Sequence, residues 1–376
     1  MKSDTLVRDA AFYKRFFSIW SMLVLYNIIT LGVNLADNVM IGAYSEIAMS
    51  GVSAVNQIQF VFQQLMMGVG DGIVVLGSQY WGKRRPDAIR KFLPGAFLVG
   101  AGISLFLFVA ACVAPEAILA IFTPDPAIRA AGVEYLRIIK YSYLIFALSQ
   151  ILLAMLRSVE TVHIGFWVSL AALAVNISLN YLLIGGHLGA PALGATGAAI
   201  ATAAARTMEL AVVLIFALRA DKKLGWRIVD IFRPDRALMK DFLRLIRPML
   251  FTSLMFGVAV ALQTAILGHM NENAIAANSV ASTLFQTLKV ASVGAASAAS
   301  ILIGTAIGSG QMDRIKAYTR TLQLMFLGIG LCTSLLLFAL RYPILSLYDM
   351  SAETYHLAEQ FILVLCFTGF GTAYEM

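Results

Sequence analysis

The chain has 376 residues, 60% of them hydrophobic and only 13% charged, with a mean hydropathy of +0.81. That is about half the charge of an ordinary soluble chain and excludes a soluble enzyme or binding module. The net charge of +7 would suit nucleic acid only if it were gathered on one face, and its distribution shows otherwise.

Charge-poor stretches long enough to cross about 30 Å of hydrocarbon as helices recur along the whole chain. The first, Phe16–Ile41, is too long for a leader's apolar segment and no small-residue cleavage site follows it, so it is expected to be retained. It contains one acid, Asp37, within "NLADNVMIG". A lone carboxylate costs about 3 kcal/mol deep in a bilayer unless it is protonated, paired or facing water or an ion, which makes Asp37 a functional candidate. The second stretch, Val55–Tyr80, carries Asp71 between two glycines, placed either to close a gate against the Lys83–Arg85 cluster or to snorkel. Phe92–Val113 and Tyr135–Leu156 follow. Ile164–Gly185 carries Asn176 and Asn180, four apart and therefore on one helical face.

Leu193–Leu218 opens with "LGATGAAIATAAAR", whose small residues suit close helix packing. No Gly-Lys-Ser/Thr follows, so it is not a nucleotide loop. Arg206 and Glu209, three apart on this span, are spaced for a local ion pair that positions the helix. The basic stretch from 219, punctuated by Pro234, reads as a linker, and four further spans are expected at Leu245–Gly268, Asn278–Ile307, Tyr318–Leu340 and from Leu357 onward. Ten spans are thus expected. Cys112, Cys332 and Cys366 lie far apart in apolar segments and are expected to be packing residues. Four scattered histidines with no His-Glu-x-x-His spacing give a metal site no support. No paired acids, Ser/His arrangement or metal cluster within the spans points to an intramembrane enzyme.

With the N-terminus inside, 22 of the 28 Lys and Arg fall in inside segments, while Arg129, Arg137, Lys140 and Arg341 fall outside. The positive-inside rule therefore places the N-terminus in the cytoplasm. Arg206 and Lys289 remain within spans.

A shift of 226 residues lays 37–91 on 263–317 without a gap. It pairs Gly42 with Gly268, Glu46 with Glu272, Gly68 with Gly294, Gly82 with Gly308 and Asp87 with Asp313. Six spans separate the copies, so both run in the same orientation, as parallel repeats about an axis along the membrane normal. The domains read as an N-lobe over 1–218, a cytoplasmic linker over 219–244 and a C-lobe over 245–376. By the same shift 175–218 call for counterparts at 401–444, so a full chain of this plan has about 450 residues and twelve spans, and the present one is expected to be truncated.

These pieces, with "SQYWGKRRPDAIRK" after the second span, "LRSVETVHIG" after the fourth and "NISLNYLLI" in the fifth, together resemble the multidrug and toxic compound extrusion (MATE) transporters. The resemblance covers the whole chain and implies an all-α membrane protein of two six-helix lobes, the second incomplete here. It also implies a secondary antiporter, not an enzyme, that exports small cationic amphipathic molecules in exchange for H⁺ or Na⁺ and holds no cofactor. A monomer in the bacterial inner membrane, binding small molecules and lipid but no nucleic acid, is expected. Some family members couple cations through an Asp at the Asp37 position, and carried onto this chain the cation site is Asp37, Asn176, Asn180 and Thr202. Two departures stand out. Asn180 replaces an acid that the family often has, leaving Asp37 as the only carboxylate of the site. Met22 stands where the family usually has a proline, whose repeat partner, Pro248, is present.

The second lobe is poorer in carboxylates. Asp37 corresponds to Gln263, and Lys289, opposite Gln63 in the repeat, is expected either to pair with Glu375 or to line the cavity. Gln263, Lys289, Glu375 and Asp71 are therefore the candidate cavity or gate residues. The alternative within the superfamily is a lipid-linked oligosaccharide flippase, which would need several cationic residues for a pyrophosphate.

Overall fold

A computed structural model describes residues 6–267, 272–345 and 352–375. Its twelve α-helices are α1 (Ala10–Tyr44), α2 (Glu46–Gly82), α3 (Pro86–Val113), α4 (Pro115–Ala120), α5 (Pro126–Ile139), α6 (Ser142–Ser158), α7 (His163–Ile184), α8 (Gly194–Ile215), α9 (Arg236–Leu267), α10 (Glu272–Gly308), α11 (Met312–Leu345) and α12 (Ala352–Glu375). Local chemistry sets several of the starts. The Ser45 side chain accepts from the Ala48 N–H, Asp125 caps α5 through the N–H groups of Ala127 and Ile128, and prolines occupy the first turns of α3, α4 and α5.

Eight helices among the described residues are long and apolar enough to cross a membrane, or nine if α5 and α6, bent by 55°, form one span. This multi-pass, all-helical architecture is the expected one, with one refinement. The fourth span is broken near Lys140 and Tyr141 because the helix restarts there, the turn being closed by Lys140 N–H to Leu136 O and Tyr141 N–H to Ile138 O. The tenth expected span overlaps 369–376, whose side chains lie outside the described residues, and Tyr355–Thr368 is a shorter apolar segment.

The 226-residue repeat reappears in the helix boundaries. Ala10 and Arg236 open α1 and α9, Glu46–Gly82 and Glu272–Gly308 bound α2 and α10, Pro86 and Met312 open α3 and α11, and Pro126 and Ala352 open α5 and α12. Each pair is separated by that one offset. The loops at 83–85 and 309–311 therefore have the same length in both copies.

By contacts the chain divides into two compact units, Ile29–Ala261 and a second made of Met1–Ile28 with Leu262–Met376. In the first, α6 is enclosed by α2, α3 and α8, and every residue from Ile151 to Leu156 is buried. The early part of α9 joins this unit, where Phe242 stacks on Phe92 with ring centres 5.3 Å apart and Ile246 fits against Gly72, at which any Cβ would meet the isoleucine at 2.3 Å. In the second unit α10, α11 and α12 pack around Ala281, Leu337, Leu345, Ala358 and Ile362. The start of α1 lies against α10 and α11 there, with Trp20 Nε1 donating to Ala291 O at 2.9 Å and Phe12 packed on Tyr318.

Two of the cysteines depart from the packing role expected of them: Cys112 and Cys332 are exposed, whereas Cys366 is half-buried and packs against the α10–α12 core, and all three are free thiols. On a membrane helix the outer face is as apolar as the core, so sequence hydropathy does not distinguish the two.

Candidate functional site

The four residues expected to form the cation site meet in one cluster within the first unit. Asp37 on α1 is 8% exposed, and Asn176 and Asn180 on α7 are fully buried. One carboxylate oxygen of Asp37 accepts a short hydrogen bond from Asn180 Nδ2, and the other accepts from Thr202 Oγ1 at 3.3 Å. Asn176 Nδ2 donates to Thr202 Oγ1 at 3.3 Å, and Asn180 Nδ2 is shared with Asn176 Oδ1 at 3.2 Å. One amide and one hydroxyl thus donate to the carboxylate, and the second amide supports both from behind. Asn180 Oδ1 is left buried without a hydrogen-bond partner. An unmade hydrogen bond of this kind costs about 1–3 kcal/mol, so the cluster carries a spare acceptor oxygen beside its one acid.

The approach of α7 and α8 makes these contacts possible. Gly197 lies so close to α7 that a Cβ would stand 2.5 Å from Leu183 O, and Ala198, Ala201 and Ala205 continue the small buried face. Gly194 opens α8 at φ +54°, a left-handed conformation that favours glycine, with the Tyr44 ring where a Cβ would stand. The small-residue run at 189–205 thereby sets the helix separation across which short Asn and Thr side chains can meet.

A cavity of about 20 Å³, room for one water-sized guest, adjoins the cluster and is lined by Thr30, Ser169, Asn176, Thr202, Arg206 and Glu209 among others. Arg206 Nη1 pairs with Glu209 Oε2 at 3.0 Å, the local pair that the spacing predicts. Glu209 Oε1 also accepts from Ser149 Oγ at 3.3 Å and Gln150 Nε2 at 3.5 Å. Tyr135, buried on α5, lies near enough to Asp37, Gln59 and Thr202 to interact with them electrostatically. The sequence reading does not place Tyr135 here. Tyr135 lies on α5, which packs against α8 only in the tertiary fold.

The remaining candidates are dispersed. Asp71 on α2 interacts with the charge of Arg157 on α6, whose guanidinium lies beside Gly70. Gln263 is exposed near the end of α9. Lys289 is half-buried and lines a small cavity with Ser292, Thr333 and Ser334. Glu375 lies outside the residues whose side chains are described, and with it the expected Lys289–Glu375 pair. Among the described residues no three His, Cys, Asp or Glu side chains converge as metal ligands.

The MatE family profile matches residues 23–182 and 248–376. A multidrug resistance protein MdtK of Pectobacterium atrosepticum is 25% identical over 88% of this chain and 73% of its own length. A probable multidrug resistance protein NorM of Geobacillus kaustophilus is 23% identical over 94% and 78%. Among solved structures, an outward-facing multidrug resistance MATE transporter of the MOP superfamily superposes with a TM-score of 0.83 at 17% identity, covering all of this chain and 84% of that one. A MOP superfamily transporter from Pyrococcus furiosus does so with a TM-score of 0.83 at 16% identity and the same coverage.

Proposed function

The chain belongs to the MATE family of multi-pass membrane transporters, and on that premise we propose that it is a secondary antiporter exporting small cationic amphipathic molecules in exchange for H⁺ or Na⁺. The relatives named for multidrug resistance support the substrate class. The observation that carries the coupling role is the Asp37 cluster, in which one buried carboxylate is cradled by polar groups of α7 and α8 beside an unpartnered amide oxygen.

Its chemistry suits a single monovalent cation. Ionised Asp37 needs donors, and Asn180 and Thr202 supply them. Each amide carries both a donor and an acceptor, so rotation of the Asn180 amide turns its spare Oδ1 toward the carboxylate when a proton or Na⁺ arrives. The oxygen-only set of Asp37, Asn176, Asn180 and Thr202 offers hard ligands to Na⁺ and a titratable group to H⁺. A cation that binds this cluster better in one conformation than in the other shifts the population between them, and the cationic substrate acts in the opposite sense. The lobes 1–218 and 245–376 are the bodies whose rearrangement exposes substrate to alternate sides, with the N-terminus in the cytoplasm of a bacterial inner membrane. No specific observation favours the oligosaccharide-lipid reading, since Arg206 is already engaged by Glu209.

The test is dye exchange by the chain in proteoliposomes under separately imposed proton and sodium gradients. Uptake or efflux of a cationic amphipathic dye should follow one of the two gradients. Exchange indifferent to both would remove the antiport reading.

A further inference from the structure

The Arg206–Glu209 pair borders the cation cluster, and nothing in the exchange cycle above makes use of it. Arg206 stands four residues after Thr202 on α8, so the two side chains share a face, and both line the water-sized cavity together with Asn176 and Glu209. A guanidinium does not lose its proton in a protein, and burial makes its charge costly unless a carboxylate answers it. Two carboxylates are available. Glu209 holds Arg206 at 3.0 Å and is itself fixed by Ser149 and Gln150, while the ring of Phe146 lies 4.6 Å from the guanidinium carbon. Asp37 is the other, and Arg206 acts on it electrostatically. The three groups sum to one negative charge, which one monovalent cation completes.

We propose that Arg206 is a tethered internal cation that competes with the coupling cation for Asp37, and that Glu209 is the positioning residue holding it back, so that the pair sets the affinity of the cation site. The inference rests on the reading of Asp37 as the coupling group. With Glu209 ionised, the guanidinium is occupied at the far wall of the cavity and Asp37 is left to the transported cation. Without that carboxylate the guanidinium has only the Phe146 face to hold it and a route along the cavity toward Asn176, Thr202 and Asp37. Of the other groups around Asp37, Tyr135 on α5 is neutral, and α7 offers only the amides of Asn176 and Asn180 and the hydroxyl of Ser169. Among the described residues no other carboxylate of the cluster takes the place of Glu209.

The experiment measures the half-saturating concentration of the coupling cation for dye exchange by the full chain in proteoliposomes, with membrane insertion checked by gel filtration in detergent. Glu209→Gln should raise that concentration about tenfold or more, the scale of one unit charge moved within the site at an intermediate dielectric. Arg206→Gln should lower it by a similar factor and slow maximal exchange, because the uncompensated Glu209 then holds the cation more tightly. The double variant Arg206→Gln/Glu209→Gln should return to within about threefold of the parent. A merely structural pair impairs both single variants in the same direction and is told apart by that sign, and a double variant as impaired as Glu209→Gln overturns the proposal. If Glu209→Gln does not insert, Arg206→Gln alone decides: an unchanged or raised half-saturating concentration overturns it. Asp37→Asn separates the two readings. Retained coupling in that variant defeats the coupling role of Asp37, whereas lost coupling alongside parent-like behaviour of both pair variants defeats only the present inference.

Discussion

The two repeats share helix starts at one fixed offset, yet they differ in what they bury. In the first, Asp37 meets two asparagines and a threonine at the junction of α7 and α8. At the position matching Asp37 in the second repeat stands Gln263, and the polar groups Lys289, Ser292, Thr333 and Ser334 gather elsewhere in that repeat, around a smaller cavity between α10, α11 and α12. The two copies thus hold different polar groups at different places, an acidic cluster in one and a basic, hydroxyl-lined one in the other. Helix placement follows the apolar pattern that both copies retain, while chemistry follows a few polar positions that are free to diverge.

The largest effect should come from breaking this asymmetry at its acid. Asp37→Asn keeps the volume and the amide partners but removes the titratable group, so gradient-driven dye exchange should be lost while the protein stays in the membrane at parent levels. Gln263→Asn, the matching change in the other repeat, should leave coupling intact. Measuring both in the same proteoliposome assay decides whether coupling belongs to one repeat. Equal loss in both variants, or retention in both, would abolish the distinction.

Next in size is the helix approach that the first repeat needs. Gly197→Val places two methyl groups against Leu183 O, where even a Cβ would stand at 2.5 Å. Overpacking of this kind costs about 1–3 kcal/mol, and here it also separates Asn176 and Asn180 from Thr202. Thermal unfolding in detergent should shift down by several degrees, and cation dependence should weaken together with stability. A variant with parent stability and parent coupling would show that α7 and α8 do not need this close approach.

These two expectations also mark how far the sequence could be read. Asp37 is recognisable because acids in apolar spans are few, whereas Asn176, Asn180 and Thr202 join it only through the family resemblance, the i,i+4 spacing adding that the two asparagines share a face. The repeat was legible because Gly, Glu and Asp recur at one offset over a gapless stretch. Tyr135 is not, because its nearness to the cluster comes from the packing of α5 against α8, a tertiary contact that no local signal announces. Arg206 and Glu209 were legible as a pair but not as neighbours of the cation cluster, since the spacing of two residues on a helix says nothing about the cavity beside them.

A middling effect is expected from restoring a second acid to the cluster. Asn180→Asp would put a carboxylate beside Asp37 at the position now joined to it by a short hydrogen bond. Two adjacent carboxylates cannot both ionise easily, so they titrate as a coupled pair. The pH profile of dye exchange should therefore move toward alkaline values, because one proton of the pair is held more firmly than a lone Asp37 would hold it. An unmoved profile would mean that position 180 does not face the coupling group.

The smallest effect concerns a feature that the two polar clusters share. Each buries an oxygen that finds no partner, Asn180 Oδ1 beside Asp37 and Ser334 Oγ beside Lys289. An unsatisfied buried group is costly in itself, so deleting one that serves nothing should be neutral or slightly stabilising. Ser334 lies beside Lys289 in the smaller cavity, and the proposed cation site gives it no role. Ser334→Ala should leave the coupling cation's half-saturating concentration unchanged and move thermal stability by less than about 1 kcal/mol, toward greater stability if at all. Asn180→Ala removes the other orphan, yet it also removes the donor to Asp37, so it should weaken cation coupling even if stability changes little. The two orphans are thus separable by one pair of measurements. If Ser334→Ala impaired coupling as strongly as Asn180→Ala, the second repeat would hold a site of its own, and the division of labour between acidic and hydroxyl-lined clusters would have to be redrawn.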